Sequence, residues 1–212
     1  MLTANDPIPT ACRRLCALAE RDPRRAVALA RHAHAALHAS DPATVAWANY
    51  TLGWALLRWE RTSEARPYLD AAYTAFVLQE AHIAALRCRY ALLLADQMQL
   101  SRANLDQEFA LLAEQFVSAG ALPNAVEATL DHARQLNMLG RSQEAVEALD
   151  RAAPIIAEGT SFDLARMLRI RGVAANGQGD FPGAQRLLSE AEQAFSTLKQ
   201  PIEVAKCWLE QA

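Results

Sequence analysis

The sequence predicts an all-α fold built from repeated helical hairpins. Composition is the first observation behind this. Of 212 residues, 45 are Ala and 29 are Leu, the strongest helix formers, while only 8 are Gly and 9 are Pro. A net charge of −3 with 52% hydrophobic residues excludes a disordered chain, and four Cys exclude a disulfide scaffold. The second observation is a repeat. The phrases RRAVALARHA, SEARPYLDAA, SQEAVEALDRAA and FPGAQRLLSEA align on Ala26, Ala65, Ala145 and Ala184, and Leu105 falls at the midpoint of the long gap. Those five positions are spaced 39, 40, 40 and 39 residues apart. The third is the pattern inside each repeat. Ala30, Leu69, Phe109, Leu149 and Leu188 stand four residues after the anchors, and Ala33, Ala72, Leu112, Ala152 and Ala191 seven after. Offsets of 0, +4 and +7 share one helical face.

Each element follows from local signals. Helix pairs are expected at about 7–20/23–39, 42–59/62–79, 81–99/102–118, 122–139/142–157 and 161–178/181–198, with an eleventh helix over 201–212. Asp22-Pro23 and Asp41-Pro42 read as an N-cap followed by Pro at the first helical position, and Asp180 precedes Phe181-Pro182 in the same manner. Pro123 and Pro201 also mark helix starts. Pro67 is placed in the first turn of its helix, where a missing N–H costs nothing, and Pro154 should kink or end its helix. Twelve residues before the anchors stand Arg14, Gly53, Leu93, Ala133 and Gly172. The small ones suit a point where two helix axes approach to the short end of 8–10 Å.

This pattern resembles the tetratricopeptide repeat (TPR), most clearly in LGWALLRWERTSEARPYLDAA and RGVAANGQGDFPGAQRLLSEAEQAF. The family's small residue on the first helix of each hairpin (helix A) is matched by Gly53, Ala133 and Gly172. Its two small residues on the second (helix B) are matched by Ala65/Ala72, Ala145/Ala152 and Ala184/Ala191. The first repeat departs at Arg14, and the third carries Leu at all three positions. Asn49 stands where the family has an aromatic. The resemblance implies a single domain over 1–212, an α-α solenoid winding as a right-handed superhelix of about five hairpins plus a partial sixth.

The resemblance also implies a non-catalytic protein–protein interaction scaffold, with a peptide or partner segment in a concave groove lined by helix A. Carrying over the family's contact positions gives Trp47, Tyr50, Trp54 and Arg58 from the second repeat. The third gives Arg87, Tyr90 and Gln97, the fourth Arg134 and Asn137, and the fifth Arg166, Arg169 and Asn176. Trp47, Tyr50 and Trp54 share one face by their spacing alone. They either line the groove or replace the absent core aromatic. Arg87, Arg134, Arg166 and Arg169 would make the later part of the groove cationic and suited to an acidic partner. The 39–40-residue period is similar to that of bacterial signalling proteins, which gives an alternative. The chain would then be the sensory or autoinhibitory N-terminal part of a larger protein with a CHAT-type peptidase, a nucleotide cyclase or a maltose-regulator-type activator.

Other classes are weak. No P-loop, nucleophile elbow, HExxH or GxGxxG occurs, so no enzyme activity and no cofactor are expected. Cys12 and Cys16, near His32, His34 and His38, cannot easily converge on one tetrahedral Zn, so no metal is expected. Nothing demands nucleic acid, no apolar run would span a bilayer, and scattered Cys with no signal peptide read as cytoplasmic. The last helix carries Val204, Cys207, Trp208 and Leu209 with no partner helix after it. Self-association through that face is therefore expected.

Overall fold

A computed structural model describes residues 8–36, 41–99 and 104–211. Eleven α-helices and no strand occur among them: α1 (Thr10–Ala19), α2 (Pro23–Ala35), α3 (Pro42–Arg58), α4 (Thr62–Leu78), α5 (His82–Gln99), α6 (Leu105–Ser118), α7 (Leu122–Met138), α8 (Ser142–Ala157), α9 (Ser161–Gly177), α10 (Phe181–Thr197) and α11 (Pro201–Gln211). The expected helices are therefore present. The expected ends at residues 7, 37–39, 102–103 and 212 lie outside the described residues.

The starts are set by the anticipated caps. Asp22 accepts from the Arg25 N–H at 3.1 Å, Asp41 from Ala43 and Thr44, and Asp180 from Gly183 at 3.0 Å. One cap was not anticipated. Thr160 and Asp163 form a reciprocal capping box at the head of α9. Two prolines need comment. Pro154 sits three residues before the end of α8, which stops as expected. Pro67 is the sixth residue of α4, past the first turn, so that expectation is corrected. Its ring removes one intrahelical bond, yet α4 continues to Leu78 because Leu69, Ala72 and Phe76 anchor it in the core.

The chain forms two compact units. The first comprises residues 1–103 and 118–121, the second 104–117 and 122–212. In the first, α3 packs on α4, and α1, α3 and α5 lie side by side as successive A helices. Ala26, Ala30, Ala46, Ala55, Ala65 and Ala72 fill the helix crossings, with Leu52, Leu56, Leu69 and Phe76 between them. In the second, α7 packs on α8 and α9, and α10 packs on both α9 and α11.

Both units use the same close approach. A Cβ added to Gly53 would lie 2.7 Å from Cγ of Leu69, and one added to Gly172 would lie 2.7 Å from Cγ of Leu188. The helix-to-helix turns repeat as well. The Arg61, Arg141 and Asp180 N–H groups each reach back five residues, to the Leu56, Leu136 and Ala175 carbonyls. The residue before each donor has positive φ: Glu60, Gly140 and Gly179.

Candidate partner-binding surface

In the first unit the candidate residues form an aromatic ladder. Trp47 meets Tyr50 edge-on at 5.8 Å, Tyr50 stacks near Trp54 at 6.4 Å, and Trp54 stacks near Tyr90 of α5 at 6.5 Å. Trp54 Nε1 donates to Glu20 Oε1 at 3.2 Å, and the other oxygen of Glu20 takes Arg58 at 2.8 Å. Helices α1, α3 and α5 thus meet in one cluster, and Glu20 is the member that sequence reasoning missed.

The ladder changes character along its length. Trp47 is 9% exposed and lies against the Phe76 ring at 4.8 Å; Tyr50 is 6% and Tyr90 8% exposed. Of the two alternatives, groove or core, the burial of Trp47 and Tyr50 favours the core. Trp47 occupies the core place that the missing helix-A aromatic would have filled. Burial also holds the Tyr50 phenol well above its ordinary pKa, with the Arg87 charge opposing that shift. Arg87 is half-buried and Gln97 is buried, whereas Trp54 remains half-buried at the surface and Arg58 is exposed.

The second unit holds Arg134, Asn137, Arg166, Arg169 and Asn176. Arg166 of α9 reaches Glu127 of α7 at 2.8 Å and Asp131 at 3.7 Å, while Arg134 takes Asp131 at 2.9 Å. Arg169 bridges to Glu210 at 2.6 Å and Glu203 at 3.5 Å on α11. The expectation of a cationic face is corrected here, because each of these arginines is matched by carboxylates. The asparagines bind backbone. Asn137 Nδ2 donates to the Ile170 carbonyl at 3.0 Å, and Asn176 Nδ2 to the Glu210 carbonyl at 3.0 Å.

The period itself contained part of this pairing. Glu127 and Arg166 are 39 residues apart, so they hold the same place on adjacent A helices. A further surface feature was missed. Trp59, after α3, lies under the Arg24 and Arg61 guanidinium groups at 5.9 and 5.3 Å. No group of three His, Cys, Asp or Glu among the described residues is placed to hold a metal, and His38 lies outside them. No helix of the described residues is long and apolar enough to cross a membrane.

No family model matches the chain, and no curated protein does. Solved structures do match. A Rap protein complexed with competence and sporulation factor superposes with TM-score 0.65 and 14% identity over 95% of this chain. A chain of nearly identical TPR-like repeats from Podosopora anserina, named for kinesin light chain, superposes with TM-score 0.60 and 21% identity over 92% of this chain and 99% of its own. The fold is TPR-like. The present chain spans 63% of the length of the Rap chain.

Proposed function

We propose that this TPR-like chain is a non-catalytic interaction scaffold that takes a peptide or partner segment on the face that the A helices α1, α3 and α5 form within its first unit. The observation that carries this is the Trp54–Tyr90 stack across α3 and α5, bordered by Glu20 and Arg58. A half-buried aromatic beside a paired Arg is a composition that recurs at binding hot spots. The similar Rap structure, solved with competence and sporulation factor, supports a bound-partner role for such a fold. In the second unit Arg134, Arg166 and Arg169 would offer a mixed surface, so a partner there needs acidic and basic groups together. Within a larger signalling protein the same face would serve as the sensing or autoinhibitory part.

A peptide library selected on the full chain tests this. Trp54→Ala, with an unchanged circular dichroism spectrum, should weaken the selected peptides by about 2 kcal/mol or more. Failure to select any peptide, or unchanged affinity in the variant, would overturn the proposal.

A second reading, self-association, is favoured by α11. Ile202, Trp208 and Leu209 are 71%, 57% and 78% exposed. Forty residues earlier, on α9, Ile202 and Trp208 correspond to Phe162 and Leu168, which pack against the cluster of Phe195 and Ala191 of α10, whereas Leu209 stands at the place of Arg169. The face of α11 is thus one that elsewhere receives a helix B, and a second copy could cover it. Light scattering over a concentration series should show a dimer that Trp208→Ser abolishes. A strict monomer would remove this reading.

A further inference from the structure

The first unit contains a cavity of about 500 Å³ between α1, α2, α3 and the junction of α4 with α5. It lies apart from the Trp54–Tyr90 stack. Its lining includes Ala30, Ala33, Trp47, Phe76, Ala84 and Cys12, and among the described residues none that lines it carries a charge.

The repeat arithmetic explains the space. Four residues after the anchor, the later repeats place Leu69, Phe109, Leu149 and Leu188, all fully buried. The first repeat places Ala30 there, so a side chain of Leu or Phe size is missing from that layer. Trp47 and Phe76 form an aromatic wall on one side.

The polar groups of the lining are few. Thr51 Oγ1 donates to the Trp47 carbonyl at 2.7 Å, and Thr44 Oγ1 donates to the Asp41 carboxylate. Both hydroxyls are therefore used within the protein, and the Gln79 amide, the Trp47 indole N–H and the Cys12 thiol are the remaining polar side-chain groups among the described lining residues. Water needs two to four polar partners to be held in such a space, whereas small-molecule sites are concave, apolar and 300–1,000 Å³ in size.

We infer that this cavity is a binding site for a small uncharged apolar molecule, aromatic or of similar bulk, seated against Trp47 and Phe76 in the volume left by Ala30. A charged ligand is disfavoured because none of the described lining residues would pair with it.

The probe for the test is N-phenyl-1-naphthylamine, which is uncharged and brightens in apolar surroundings. The full chain should bind one probe per chain saturably. Ala30→Leu, which restores the residue other repeats carry, should weaken binding by about tenfold or more while keeping the helical spectrum. Trp208→Ser, on the apolar face of α11, should leave binding unchanged. A second readout needs no variant. Bound probe should slow alkylation of Cys12 by N-ethylmaleimide, followed by peptide mapping. Absence of saturable binding, undiminished binding in a folded Ala30→Leu, loss of binding in Trp208→Ser, or an unprotected Cys12 would each overturn the assignment. The groove variant Trp54→Ala should keep probe binding, so the two proposals fail separately.

Discussion

Gly172 of α9 lies directly on Leu188 of α10, with room for no side chain between them: a Cβ there would fall 2.7 Å from Leu188 Cγ and 3.3 Å from its backbone nitrogen. Gly53 stands in the same relation to Leu69. Gly is a poor helix residue, worth about 1 kcal/mol less than Ala in a helix interior. It is kept at this point because helix separation depends on it. Gly172→Ala should therefore destabilise the protein by about 1–2 kcal/mol in urea unfolding, overpacking outweighing the propensity gain. Adding Leu188→Ala should recover part of the loss contributed by the clash, a coupling that a double-mutant cycle measures. A stabilised Gly172→Ala would show that the helices can separate at no cost.

Asp131 is 4% exposed and faces both Arg134 and Arg166. A buried carboxylate that loses a cationic neighbour loses more than a surface ion pair would. Arg166→Ala should cost about 1–3 kcal/mol, and Arg166→Lys should lose part of that, since an ammonium cannot present the planar fork that reaches both Glu127 and Asp131. A change below about 0.5 kcal/mol in Arg166→Ala would mean that the pair behaves as a solvated one.

The repeat made most helices legible, because Asp-Pro and similar punctuation fixes their starts and the 0, +4, +7 pattern fixes their inner face. The candidate site was legible only in part. Residue type and position put Trp54, Arg134 and Arg166 forward as candidates, but the sign of the surface depended on which acid each Arg meets. Glu127 could have been paired with Arg166 from the 39-residue register. Glu210 could not have been paired with Arg169 in that way, since its offset of 41 depends on how α11 lies beside α9. Trp47 was left open between groove and core for a similar reason. Its spacing from Tyr50 sets a shared face, while the Phe76 ring that covers it comes from another helix.

Asn176 fastens α11. Its Nδ2 donates to the Glu210 carbonyl, and Asn137 makes the equivalent bond from α7 to the Ile170 carbonyl. Each bond contributes about 1 kcal/mol. Asn176→Ala should speed hydrogen exchange in α11 before other helices, whereas Asn137→Ala should act on α7 and α9. Uniform exchange across the second unit in Asn176→Ala would show that α11 opens only with the rest.

Glu60 occupies the left-handed region at φ 59°, in a turn whose counterparts are Gly140 and Gly179. A Cβ in that region costs about 1–2 kcal/mol, offset in part by the greater freedom of Gly when unfolded. Glu60→Gly should therefore stabilise by about 0.5–1 kcal/mol, and Gly140→Ala should destabilise by a similar amount. A lower thermal midpoint for Glu60→Gly would indicate that the Glu60 side chain contributes more than the backbone strain it imposes.

His132 of α7 is half-buried, and burial lowers its pKa below the ordinary value near 6.5. The Arg151 and Arg141 charges act in the same direction, and Asp106 and Glu144 oppose them. A depressed folded-state pKa means that the unfolded chain takes up the proton first. The stability linked to His132 is then fully present above the unfolded pKa and is lost as pH falls toward the folded one. The thermal midpoint should therefore drop as pH falls below the ordinary value near 6.5 toward the lower folded-state pKa. His132→Gln should flatten that slope, leaving the behaviour well above the ordinary histidine pKa unchanged apart from a constant offset. Equal slopes in the two proteins would assign the acid sensitivity to other groups.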